Sequence, residues 1–273
     1  MNREERIKVF NETVDFVNNN PFHTEKEMVD GTKFYGKKVE IDYDNIPRYD
    51  TDVKVVNNDC LYEAKKMIDE GYKPCVLNMA SFTTPGGGVT NGSGAQEENI
   101  FRRSNLFKSL YQFHPIGINY KVKQREEQYP LDYNFGGIYT PFVTVFKGGE
   151  DVNYPLLDNP YIVGIVTVAA VKNPRVENGK IVPWVADVIK NKVRQILDIA
   201  LENGHDSLVL SAFGCGAYKT PPEEMAKIMH EIINSDKYKG AFKAIHFAII
   251  DVASTNGEHN PNGNFKPFKD IFN

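Results

Sequence analysis

Four segments of this chain are nearly unbroken runs of apolar residues: Cys75 to Phe82 (CVLNMASF), Tyr161 to Ala170 (YIVGIVTVAA), Ser207 to Phe213 (SLVLSAF) and Ala244 to Ile250 (AIHFAII). A strand with one wet face alternates apolar and polar residues, whereas runs without alternation belong to strands covered on both faces. Stretches of helical period lie between them. Residues 59–70 open with Asp59 as a cap and stop at Gly71, residues 95–113 set Ile100, Phe101, Leu106, Phe107 and Leu110 at core spacing, residues 182–203 stop at Gly204, and residues 223–234 follow two prolines. Strands are expected at 53–56, 74–79, 138–146, 161–171, 207–213 and 243–251. The alternation predicts an α/β fold of three layers, with a mixed, mostly parallel sheet between helices.

The regular rhythm starts near residue 50. Before it, Ile7, Phe10, Val14 and Val17 mark an amphipathic helix over residues 4–18, and residues 21–49 mix aromatics and charges without a period. Residues 1–49 are therefore read as an extension packed on the core, and 50–273 as one catalytic unit. Residues 115–137 read as a polar, aromatic insertion, and 148–160 as turn chemistry.

Composition excludes several classes. With 273 residues, 41% hydrophobic and 25% charged, the chain is long enough for one large core and is neither a disordered nor a fibrous protein. It lacks the run of about 18 apolar residues that a membrane span requires, and its charged opening is not a secretory signal, so a cytoplasmic location is expected. Three scattered cysteines, Cys60, Cys75 and Cys215, offer neither a disulfide framework nor a metal motif. The net charge of −4 provides no general attraction for nucleic acid. No cofactor is expected, and a monomer is.

In open α/β sheets, ligands sit beyond the carboxyl ends of strands. Two of the apolar strands run directly into glycine loops there. The first loop reads Thr83-Thr84-Pro85-Gly86-Gly87-Gly88-Val89 and ends at Gln96-Glu97-Glu98; the second reads Phe213-Gly214-Cys215-Gly216-Ala217-Tyr218. Consecutive glycines let backbone amides converge on an anion, and the helix start after the second loop adds a favourable dipole. Neither loop matches a P-loop or a dinucleotide fingerprint. Glu97 and Glu98 open a helix, where a carboxylate is favoured for structural reasons alone. As neighbours they point about 100° apart, so they have different jobs: one holds a sugar through its hydroxyls while the other moves a proton at a glycosidic oxygen.

The triple glycine, a seven-residue spacer and Gln-Glu-Glu resemble the signature of poly(ADP-ribose) glycohydrolases. VLNMASFTTPGGGVTNGSGAQEE is similar to the compact microbial type of that family, within the macrodomain superfamily, and SAFGCGAYKTPPEEMA resembles its diphosphate-binding loop. The resemblance spans roughly residues 50–255. It implies a macrodomain-like fold and hydrolysis of the ribose–ribose bond of poly(ADP-ribose), with Glu98 catalytic, Glu97 holding ribose hydroxyls and Gln96 completing the motif. Gly86, Gly87, Gly88 and Val89 would line the distal ribose and phosphate. Phe213, Gly214, Cys215, Gly216, Ala217 and Tyr218 would form the second loop, with either Phe213 or Tyr218 ordering the distal ribose. Asn78 and Ala80, at the end of the strand before the first loop, would also contact ADP-ribose. Asp59 would read the adenine amino group or serve only as a helix cap, and Phe247 would stack on adenine or belong to the core. Cys215 has no neighbouring base and is not read as a nucleophile. The implied ligand is ADP-ribose, free, polymeric or on macromolecules; the alternatives are a non-catalytic ADP-ribose reader and a hydrolase of mono-ADP-ribosyl linkages.

Overall fold

A computed structural model describes residues 1–251 and 257–272. In chain order the helices are α1 (Arg3–Asn19), α2 (Glu25–Gly31), α3 (Cys60–Asp69), α4 (Gln96–Arg103), α5 (Leu106–Leu110), α6 (Pro183–Glu202), α7 (Pro222–Ile233) and α8 (Phe265–Phe272). The strands are β1 (Lys33–Tyr35), β2 (Asp52–Val56), β3 (Pro74–Ala80), β4 (Gly137–Lys147), β5 (Leu156–Ala169), β6 (Val176–Glu177), β7 (Lys180–Ile181), β8 (Ser207–Leu210) and β9 (Ala244–Ala248). Seven of them form one sheet in the order β1-β4-β5-β3-β8-β9-β2. β4 runs antiparallel to both its neighbours, and every pairing from β5 across to β2 is parallel.

The unbroken apolar runs have the predicted cause. Along β3 every side chain but Met79 is buried, because one face meets a core built with α6, α7 and α8 and the other a core built with α1, α3, α4 and α5. α1 belongs to the second core: an Asn2–Glu5 capping box starts it, and Val9, Phe10, Val14 and Val17 are buried. Four such side chains contribute roughly 1.5–3 kcal/mol each, which makes α1 part of the fold and more than a cover.

The structure departs from the sequence expectation in six places. The helix expected over 95–113 is broken at Ser104, which turns to extended backbone and bridges Val145, while Asn105 exchanges hydrogen bonds with the backbone of Thr144. Docking on β4 overrides helical period there. Strand β5 starts earlier than expected, at Leu156, and β8 ends earlier, at Leu210. The aperiodic stretch 21–49 contains α2 and the edge strand β1. Residues 176–181 form a small hairpin around Asn178 and Gly179, both at positive φ. α8 was not anticipated; Phe268 and Phe272 pack on Phe247.

Candidate active site

β3 and β8 part company before they end. Their ladder covers Pro74–Val76 only, although β3 pairs with β5 as far as Ala80. Past that point the Gln96 amide takes the place of the missing strand: its Oε1 accepts from Met79 N–H at 2.8 Å and its Nε2 donates to Leu77 O at 2.6 Å. One side chain thereby satisfies the exposed β3 edge and fixes the start of α4 at the mouth of the opening.

Two amides of the triple glycine are taken up by the protein's own carboxyl groups. Gly86 N–H donates to Glu97 Oε1 at 3.0 Å, and Gly88 N–H donates to Glu98 Oε1 at 2.9 Å. Gly87 and Val89 donate within the loop, to Thr84 O and Gly86 O. The expectation that these amides bind a ligand phosphate is thus corrected: they are spent on the carboxylates. Gly87 sits at φ +54°, and a Cβ on it would lie 2.6 Å from Glu98 Oε1 and 3.1 Å from Glu97 Oε2. Only glycine lets both carboxylates lie against this turn.

The two glutamates differ in surroundings. Glu97 accepts also from Ser81 N–H at 2.7 Å and from Asn78 Nδ2 at 3.4 Å. Burial pushes its carboxyl up to about 8; those hydrogen bonds oppose the rise and the charge of Glu98 adds to it. Glu98 is 7% exposed, and its Oε2 meets no hydrogen-bond donor among the described residues. A proton on Glu98 therefore has one open oxygen to occupy.

The opposite wall is the second loop. Gly214 takes φ +77° and passes so close to Ala170 that a Cβ would lie 2.8 Å from its methyl. The amides of Gly214, Gly216, Ala217 and Tyr218 have no acceptor among the described residues, leaving a set of donors for an anionic ligand. The start of α7 at Pro222 lies outside the lining of the cleft, where the open donors are the loop amides. Tyr218 Oη accepts from Phe82 N–H at 3.0 Å and ties the two loops together.

The resulting cleft, about 460 Å³, is lined by Ala80, Gly87, Gly88, Gln96, Glu97, Glu98, Gly214, Gly216, Ala217 and Tyr218 among the residues named from sequence. The others lie outside the lining. Asn78 is buried behind Glu97, and Gly86 packs on Phe101. The side chains of Val89, Phe213, Cys215 and Phe247 belong to the hydrophobic cores, so of Phe213 and Tyr218 it is Tyr218 that lines the cleft, and burial pushes the Cys215 thiol up, away from nucleophilic reactivity. Asp59 caps Leu61 and Tyr62, pairs with buried Arg103 at 2.6 Å and accepts from Asn99 at 3.1 Å; its carboxylate is fully engaged. Lining residues not singled out from sequence are Met79, Ser81, Phe82, Thr83, Ala95, Tyr133, Ala170, Lys172 and Ala212. Ala170 and Lys172 follow the end of β5, where the same strand-end rule pointed; Tyr133 comes from the insertion, which has no period to read. Among the described residues no group of three or more His, Cys, Asp or Glu is placed to hold a metal, and no helix is long and apolar enough to cross a membrane.

A mostly parallel sheet between helix layers, opened at a strand crevice that carries a carboxylate pair and a loop of free amides, defines a macrodomain-like hydrolase fold. The family model for the microbial-type PARG catalytic domain matches residues 10–148, and the chain belongs to that family. Its structure is similar to that of poly(ADP-ribose) glycohydrolase from Thermomonospora curvata bound to the inhibitor ADP-HPD, with 26% identity, 99% of this chain and 100% of that one covered and a TM-score of 0.80. It is also similar to poly(ADP-ribose) glycohydrolase from Deinococcus radiodurans in complex with ADP-ribose, with 26% identity, 92% and 97% covered and a TM-score of 0.69. No curated relative matches.

Proposed function

We propose that this chain hydrolyses the ribose–ribose O-glycosidic bond of poly(ADP-ribose) and releases ADP-ribose. The observation that carries the reading is the seating of Glu97 and Glu98 on one glycine turn at the wall of a cleft whose other wall is a loop of unpaired amides. The amides of Gly216, Ala217 and Tyr218 receive the diphosphate, which explains why a net charge of −4 is no obstacle to an anionic substrate. Glu97, the more deeply buried, holds ribose hydroxyls. Burial pushes its carboxyl up to about 8, which favours the protonated form.

Glu98 moves the proton. With Oε1 fixed by Gly88, protonated Oε2 gives its proton to the glycosidic oxygen as the bond to the anomeric carbon breaks. The carboxylate left behind then takes a proton from water, whose oxygen adds to the oxocarbenium carbon. We further read residues 1–49 as part of the catalytic unit and the enzyme as a cytoplasmic monomer, in keeping with three buried, unpaired cysteines.

Glu98→Gln is the test. ADP-ribose binding should persist, and release of ADP-ribose from automodified polymer should fall at least about 100-fold; retained turnover overturns the assignment. Wild-type protein that binds ADP-ribose yet releases none from polymer or from mono-ADP-ribosylated protein is a reader.

A further inference from the structure

Arg102 is fully buried, yet no carboxylate lies within ion-pair distance of it among the described residues. Burying an uncompensated guanidinium is costly, so its bonds should do something an apolar side chain would not. On α4 it stands one helical turn beyond Glu98. Its Nε donates to Arg6 O of α1 at 3.1 Å, and its Nη2 donates to Ser93 O in the first loop. From Ser93 the connection continues: Ser93 N–H donates to Gly88 O at 3.1 Å, and Gly88 N–H donates to Glu98 Oε1 at 2.9 Å.

These bonds close a ring. It leaves α4 at Arg102, crosses Ser93 and Gly88, meets the Glu98 carboxylate, and returns through one turn of the helix. There is no slack in it, since a Cβ on Gly88 would lie 2.3 Å from Ser93 Oγ. The helix fixes the backbone of Glu98, but the direction of its carboxylate depends on where the Gly88 amide is held.

We propose that Arg102 is a positioning residue for the glycosidic reaction, aiming Glu98 through Ser93 and Gly88 and anchoring that aim to α1 through Arg6. The inference rests on Glu98 being the acid and base. It assigns the N-terminal helix a part in catalysis: α1 supplies a fixed carbonyl against which the guanidinium is oriented. A misdirected carboxylate costs rate and leaves binding alone, because the free amides of the second loop lie outside the ring.

The experiment compares Arg102→Met and Arg102→Lys with Thr13→Val. Thr13 Oγ1 donates to Arg102 O at 2.6 Å and accepts from Lys147 Nζ at 2.9 Å, so Thr13→Val removes buried hydrogen bonds between α1, α4 and β4 while leaving the guanidinium and its Arg6 and Ser93 carbonyl partners in place. Arg102→Met should lower kcat on automodified polymer about 100-fold with KM and ADP-ribose affinity within about threefold of wild type. Arg102→Lys, with one ammonium for two carbonyls, should recover part of that loss. Thr13→Val should lower Tm and leave kcat unchanged. Amide exchange read by mass spectrometry should be at least about tenfold faster across residues 86–94 in Arg102→Met and unchanged there in Thr13→Val. The proposal is overturned if Arg102→Met keeps kcat within about twofold, if Thr13→Val loses kcat equally, or if exchange across residues 86–94 is the same in all three proteins. If Arg102→Met does not fold, Arg102→Lys decides by the same split of kcat from KM. A wild-type protein inert on polymer removes the reading of function, and the exchange data still judge the ring.

Discussion

Glu97→Gln should change sign as a stability mutation along the pH scale. In the folded chain burial raises the Glu97 carboxyl from 4.5 to about 8. Between these values the unfolded chain has released its proton while the folded chain keeps it, so the folded state binds more protons and stability falls as pH rises. The slope is about 1.4 kcal/mol per pH unit. Over the window from 4.5 to about 8 the loss from this one group accumulates to at most about 5 kcal/mol. Gln has no such proton, and the slope disappears. Its amide brings a cost of its own: with Oε1 still accepting from Gly86, Nε2 faces the Ser81 N–H that Glu97 Oε2 accepts from at 2.7 Å. Two buried donors in opposition cost about 1–3 kcal/mol. Near pH 5 the variant should therefore be less stable than wild type by about that amount, and above pH 8 more stable by about 2–4 kcal/mol, with the curves crossing between about pH 5 and pH 7. Urea denaturation of both proteins at about pH 5, 6.5 and 8.5 reads the difference. Parallel curves would refute the idea that this carboxyl keeps its proton in the fold.

Two further outcomes follow from the geometry. Gly87→Ala places a Cβ at φ +54° and 2.6 Å from Glu98 Oε1; it should lower stability by about 1–3 kcal/mol and cut kcat about 100-fold, checked by thermal melts and by ADP-ribose release. Asp59→Ala removes a helix cap and strands the buried Arg103 guanidinium; stability should drop by about 3–5 kcal/mol while ADP-ribose affinity stays within about threefold, and a large affinity loss in a folded variant would restore adenine reading to Asp59.

The parts of the fold that were legible are those in which local pattern and burial agree. Apolar runs at β3, β5, β8 and β9 mark strands covered on both faces, and α1 and α3 carry their caps in the sequence. Illegible were the elements that tertiary contact decides. Ser104 and Asn105 leave the helix because β4 offers hydrogen bonds, and β1 is three residues long and forms only on the edge of β4. α8 was readable in FKPFKDIF, whose phenylalanines fall at helical spacing. At the site, the glycine loops and Glu97-Glu98 stood out, but what the glycines bind did not: a nest that suits an external anion equally suits a carboxylate ten residues on, and only coordinates say which one occupies it. Phe213 and Phe247 each carried a ligand reading beside another, and both are fully buried, which for Phe247 is its core alternative.

The two walls of the cleft are very unequal in sequence distance. The bonds that seat Glu97 and Glu98 span 11 and 10 residues, whereas the Tyr218–Phe82 bond that closes the cleft spans 136. Loop-closure entropy makes the first kind early and inexpensive and the second late. During vectorial synthesis the residues of the carboxylate turn leave the ribosome long before residues 214–218, so a nascent chain holds the acid before it holds the means to grip a substrate. Catalytic competence in this molecule reports that the last third of the chain has arrived and docked.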